Sequence, residues 1–229
     1  MVEIDRFKFE DKDYDFPFYD KNPYVPKWGW IVLFFVFLVG SVLTMSEKLS
    51  AAILCCIVFI VPVLYFLNWD YKAIFRKPSH RDIILAVALF IGYIIYAMIM
   101  STILEQVGIV GGGLVEEGSV TIMTIFKAIF SLMGEEFIKF IPFIFFLRVI
   151  YKYTSNRKLA VIISVALVMV MFASLHAFNP VMFLFALCIQ GFGSIFEFYG
   201  YIKTKNILVS YITHLCTDVF IFSLALLGL

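Results

Sequence analysis

Charged side chains are scarce in this chain of 229 residues. They make up 15% of it against 62% hydrophobic residues, and mean hydropathy is +0.97. A soluble domain carries about 25% charged and about 45–50% apolar residues, so composition excludes an ordinary soluble enzyme. It also excludes intrinsic disorder, which needs low hydrophobicity and high charge. No excess of one sign exists either. The formal net charge is +1, which leaves no electrostatic footprint for a nucleic-acid partner. Cysteine is sparse, at four residues (Cys55, Cys56, Cys188 and Cys216), all within apolar runs and none in CxxC spacing. That excludes a disulfide framework and a zinc knuckle, and the four read as small buried hydrophobes. The zinc-protease pattern HExxH is absent, and GIVGGG lacks the Lys-Ser/Thr of a phosphate loop.

What the chain does have is long apolar runs. A bilayer core needs about 20 mostly apolar residues per helix. Seven such runs cover roughly 28–45, 51–69, 82–103, 119–152, 159–176, 180–202 and 206–227. The expected fold is therefore all-α, a polytopic membrane bundle of about seven transmembrane helices. The fourth run is long enough to be divided near Gly134, which gives an eight-span alternative. Lys and Arg distribution favours seven, because cytoplasmic loops are enriched in them. With seven spans and the N-terminus inside, Lys72, Arg76, Lys77, Arg81, Arg148, Lys152, Arg157, Lys158, Lys203 and Lys205 all fall on the inner side. The expected location is the cell membrane, multi-pass, with a cytoplasmic N-terminus.

Residues 1–27 hold seven of the 17 acidic and five of the 18 basic residues, mixed with aromatics. They read as a cytoplasmic or interfacial tail, where Tyr and Trp are favoured, and not as a cleavable leader. Residues 28–118 read as scaffold helices and 119–229 as a catalytic core. Residues 104–118 read as a flexible glycine-rich outer loop.

Ionisable side chains inside membrane spans are costly and default to functional hypotheses. Here they are Lys127, Glu135, Glu136, Lys139, Glu197, His214 and Asp218, with His176 at a span end. They gather in the second half of the chain. Lys139 lies four residues after Glu135 and three after Glu136, within reach of either on a helix. One carboxylate and one lysine make a balanced buried pair, and the second carboxylate is then in excess. A carboxyl held out of water suits general acid–base work near neutral pH. Phe172 precedes His176 by four residues and can wall its imidazole. His214 and Asp218 are also four apart and share a helix face. Two Glu, two His and one Asp from three spans form an inventory for activating water and binding an oxyanion, with or without a metal.

The order EE, FxxxH, HxxxD resembles the CAAX-protease and bacteriocin-processing family of intramembrane glutamic endopeptidases (the Abi, or type II prenyl endopeptidase-like, family). The motifs are Glu135-Glu136, Phe172 to His176, and His214 to Asp218, within about residues 130–220. The resemblance implies metal-free hydrolysis of peptide bonds in the membrane. Glu135 would activate the water, His176 would assist, and His214 with Asp218 would hold the oxyanion, Asp218 replacing the more frequent Asn. An ionised Asp218 would repel that charge, so it must be protonated or act through His214. The family's usual EExxxR is here EExxK, with Phe at position 140, a variant similar to the PrsW-like intramembrane proteases. That change leaves open which glutamate is the base, and Glu135 and Glu136 are taken together.

The implied substrate is a membrane-bound peptide or protein: a lipid-modified peptide, a bacteriocin leader or a regulatory protein. No cofactor is expected, although two His and the carboxylates are chemically adequate zinc ligands. The alternative is a non-catalytic bacteriocin-immunity or membrane scaffold protein that binds its partner without cleaving it. A small proton-coupled transporter is a third reading, weakened by the lack of paired repeats. Substrate identity, oligomeric state and the leaflet to which the site opens are not legible at this level.

Overall fold

The computed structural model describes residues 5–20, 23–109, 120–177 and 179–228. Among them there is no strand. The helices are α1 (Lys27–Thr44), α2 (Leu49–Phe66), α3 (His80–Gln106), α4 (Ile122–Thr154), α5 (Arg157–Leu175), α6 (Pro180–Ala186), α7 (Ile195–Thr204) and α8 (Ile207–Leu227). A short 3₁₀ turn covers Tyr71–Ala73, and a π-helical turn, Leu187–Gly191, joins α6 towards α7. The glycine-rich segment proves shorter than the sequence implied. Residues 104–106 continue α3, and most of GIVGGG lies outside the described residues.

Local signals place the helix ends. Ser79 and Asp82 form a reciprocal capping box at the start of α3, and Thr121 with Thr124 does so for α4. Asn156, Asn179 and Asn206 cap α5, α6 and α8 with their side-chain oxygens.

Among the described residues, six helical segments are long and apolar enough to cross a membrane: α1, α2, α3, α5, the interrupted Pro180–Thr204 segment and α8. Many large apolar side chains on α1–α3 face outward, among them Ile31, Phe35, Ile57, Ile84 and Ile95. Outward apolar faces on helices of this length are what lipid demands. The protein is an all-α polytopic membrane bundle. The remaining predicted span, the fourth, is α4, which packs against α1, α2, α5 and α8 as the central helix. Its inward face carries the charges, and residues Glu136–Ile144 are all buried.

At Gly134 α4 is unbroken. The glycine lets α2 approach: a Cβ there would come within 2.5 Å of the Cys55 sulfur. The excess length of α4 is taken up by projection. Ser210, three residues into α8, donates a hydrogen bond to Glu136. Glu136 lies 18 residues, roughly 27 Å at helical rise, from the end of α4, whereas Ser210 is roughly 5 Å into α8. The end of α4 and the start of α5 therefore run past the α7–α8 turn.

The tail fills the resulting step. Phe16, Phe18, Tyr19 and Val25 are buried in the main core. Glu10 accepts two hydrogen bonds from Arg157, at 2.8 and 2.6 Å, and one from Lys205 at 2.6 Å. Asp15 accepts from Arg157 at 2.8 Å, Arg148 donates to the Phe18 carbonyl at 2.9 Å, and the Arg76 guanidinium covers the Tyr14 ring. The tail thus binds the α2–α3, α4–α5 and α7–α8 connections together. Burial works to raise the Glu10 pKa, but hydrogen bonds from Arg157 and Lys205 outweigh it and bring the value down to about 2. At the opposite end Lys127 pairs with Glu47 at 3.0 Å, joining the α1–α2 turn to the start of α4.

Candidate active site

Adjacent helical residues point about 100° apart, and α4 uses this to send its two glutamates to different places. Glu136 turns into the bundle, its side chain 3% exposed. Its Oε1 accepts from Lys139 Nζ at 2.5 Å and from His214 Nδ1 at 2.9 Å, and its Oε2 accepts from the Ser210 hydroxyl. Three of its roughly four lone-pair directions are taken by buried partners. Glu135, at 23% exposure, faces open space.

Lys139 pairs with Glu136 and with Glu197 of α7, and not with Glu135, although the spacing allowed either. Its Nζ also lies 5.1 Å from the Phe172 ring centre. Glu197 is buried and stands 3.9 Å from His214 Nδ1. The far nitrogen of His214, Nε2, lies between two further carboxylates, 3.9 Å from Glu135 and 3.8 Å from Asp218. Neither distance is a hydrogen bond. Asp218 therefore does not orient the imidazole directly; Glu136 does.

His176 is the C-cap residue of α5. Its Nδ1 is 2.9 Å from the Phe172 carbonyl and so donates to it, and its ring packs edge-on against Phe172 with centres 4.6 Å apart. Nε2 has no hydrogen-bond partner among the described residues.

All five residues singled out in the sequence, with Lys139 and Phe172, come together here. Glu135, His176, His214 and Asp218 line one cavity of about 180 Å³. A neighbouring cavity of about 190 Å³ is lined by Ser41, Thr44, Glu135, Phe172 and His176. Glu135, Phe172 and His176 form the wall common to both. The first three helices also contribute, through Ser41 and Thr44 of α1 and Tyr93 of α3.

Three participants escaped the sequence reading, and a fourth, Glu197, was noted there without being placed in the constellation. Ser210 carries no signal of its own, and neither does Tyr93. Gln190 sits on the π-helical turn, lines the first cavity, and has a buried Oε1 without a hydrogen-bond partner among the described residues. Such turns interrupt helices at functional sites. Glu197 did carry a signal, as an acid inside an apolar span, but its partners lie 58 and 17 residues away, on other helices.

Glu136, Glu197 and His214 also have the composition of a metal site, with ligand atoms within 4.8 Å of one another. The Lys139 ammonium contacts both carboxylates of that trio and lies 3.4 Å from His214 Nδ1. A fixed positive charge thus stands where a metal would bind.

Comparison with protein-family models, with curated proteins and with solved structures gives no match to this chain.

Proposed function

We propose that this protein is an intramembrane endopeptidase that hydrolyses peptide bonds of membrane-bound peptides or proteins, with Glu135 as the base. The observation that carries the reading is the division between the two glutamates. Glu136 is buried and held by Lys139, His214 and Ser210, while Glu135 opens onto a cavity that also holds His176, His214 and Asp218. A base needs a free lone pair within reach of water, and Glu135 meets that requirement.

In this reading the Glu135 carboxylate takes a proton from water as the water oxygen bonds to the substrate carbonyl carbon. The carbonyl π electrons move onto oxygen. Collapse breaks the C–N bond, and the proton passes to the leaving amine. The unengaged Nε2 of His176 assists in handling it. With both ring nitrogens protonated, His214 keeps Nδ1–H on Glu136 and presents Nε2–H to the oxyanion. Asp218 contributes in its protonated form. No metal is invoked, since Lys139 already balances Glu136 and Glu197. Activity that resists chelators is the expected result, and loss of activity restored by zinc would sink this part.

The resemblance in motif order, EE then FxxxH then HxxxD, supports the same family of intramembrane glutamic endopeptidases. The gathering of the cationic connections at the tail end supports a cytoplasmic N-terminus in the cell membrane.

The test compares peptides and membrane proteins from cells carrying the wild type, Glu135→Gln or His176→Ala at matched expression. A fragment that vanishes while its precursor accumulates, followed by cleavage of that precursor by purified protein, is the expected outcome. A deletion phenotype that both variants rescue would instead make the protein a non-catalytic binding or immunity factor.

A further inference from the structure

A further cavity lies away from the candidate active site. It measures about 470 Å³, at the tail end of the bundle. Arg76 and Lys77 come to it from the α2–α3 connection, Arg81 from the first turn of α3, and Lys203 from the last turn of α7. Of the acids on its walls, Glu10 is neutralised by Arg157 and Lys205, while Asp82 and Asp11 accept hydrogen bonds from neutral groups, Ser79 and the Asp13 backbone, and keep their charge. Arg76 is engaged too, donating to the carbonyls of Lys72 and Thr204.

Lys77, Arg81 and Lys203 differ. Among the described residues their side chains have no hydrogen-bond acceptor and no carboxylate within ion-pair distance. Lys203 has just a 5.8 Å approach to the Tyr199 ring. With Glu10 paired to Arg157 and Lys205, the cavity's Arg76, Lys77, Arg81 and Lys203 outnumber its other acids, Asp11 and Asp82, and an anion between the cations offsets that excess.

Position narrows the anion. α3 and the segment ending in α7 are both long and apolar enough to span a bilayer, and the cavity lies at their ends, where a helix of that length meets the headgroups. From the cavity, the α3 surface continues as an exposed apolar strip through Ile84, Val87 and Ile91. Basic pockets between membrane helices suit phosphate headgroups.

We propose that this cavity binds the phosphate of an anionic phosphoglyceride, with Lys77, Arg81 and Lys203 on the headgroup and acyl chain along α3. The proposal does not depend on the peptidase reading.

The test is a lipid titration of the full chain in uncharged detergent, followed by native mass spectrometry. Dioleoyl-phosphatidylglycerol and dioleoyl-phosphatidylcholine are compared, and sodium phosphate is assayed in parallel by thermal unfolding. Each basic residue near a lipid phosphate contributes about 1 kcal/mol, so the double variant Arg81→Gln/Lys203→Gln should lose about tenfold or more of the phosphatidylglycerol preference. Lys152→Gln, an exposed cation outside the cavity, should lose none. If sodium phosphate protects as strongly as phosphatidylglycerol, and the double variant loses that protection, the phosphate site stands and its source is soluble. Equal retention of the two lipids by the wild type, or a preference that persists unchanged in the double variant, would overturn the proposal.

Discussion

Glu135 and Glu136 are neighbours in the chain and opposites in the fold. The sequence made the pair visible and left their roles open, because helical geometry says that they diverge without saying which one turns inward. What decides it is Ser210, His214 and Glu197, all on helices far along the chain. The consequence for mutation is a separation of effects. Glu135→Gln should abolish hydrolysis and leave the unfolding midpoint nearly unchanged, since its carboxylate has no close partner among the described residues. Lys139→Met should do the reverse first. It strands Glu136 and Glu197 as facing buried carboxylates, and breaking a buried pair from one side costs about 3–5 kcal/mol. Adding Glu197→Gln to Lys139→Met should recover part of that loss. Chemical unfolding in detergent measures both, and a Lys139→Met protein as stable as the wild type would remove the ammonium from the centre of this network.

At the scale of elements, existence and order were legible and continuity was not. The runs of apolar residues placed every long helix to within a few residues, since lipid and core both require them. Gly134, where the eight-span alternative placed a break, is a packing contact inside an unbroken helix, as the preferred seven-span reading requires. The sixth run, read as one span, contains the π-helical turn and the short interval before α7, and at Gly193 in that interval a Cβ would come within 2.5 Å of the Tyr93 ring. Neither is visible without the facing helix. The packing role of Gly134 is testable. Gly134→Ala should destabilise the protein by about 1–3 kcal/mol, as overpacking does, because the new methyl meets the Cys55 sulfur. Cys55→Ala should relieve most of that cost when combined with it. Were α4 flexible or hinged at this position, alanine would be neutral or stabilising, and Cys55→Ala would bring no rescue.

For the whole molecule, the distribution of Lys and Arg predicted which connections share a side, and the tail physically joins them. Arg76, Arg148, Arg157, Lys203 and Lys205 all meet tail residues. What charge counting left out is that the tail is part of the core. Its aromatics could have rested at the bilayer surface, and its acids could have stayed in water. Instead Glu10 is buried against Arg157 and Lys205, and this makes stability depend on pH. The Glu10 pKa falls from 4.5 to about 2 on folding. A depressed folded-state value means a contribution fully present above about 4.5 and lost as pH falls towards 2. Lys205 runs the other way on the alkaline side. Burial, the largest effect, lowers its pKa to about 8, so its cost is present below that value and is relieved as pH rises towards 10.5. Between pH 5 and 7, therefore, Glu10→Gln should lower the unfolding midpoint clearly. The gap from wild type should begin to narrow near pH 4.5 and be more than half closed at about pH 3, since the contribution fades as pH falls towards 2. A gap that stays constant from pH 7 to pH 3 would mean that Glu10 holds the tail by shape alone, and the ionic clamp would have to be abandoned.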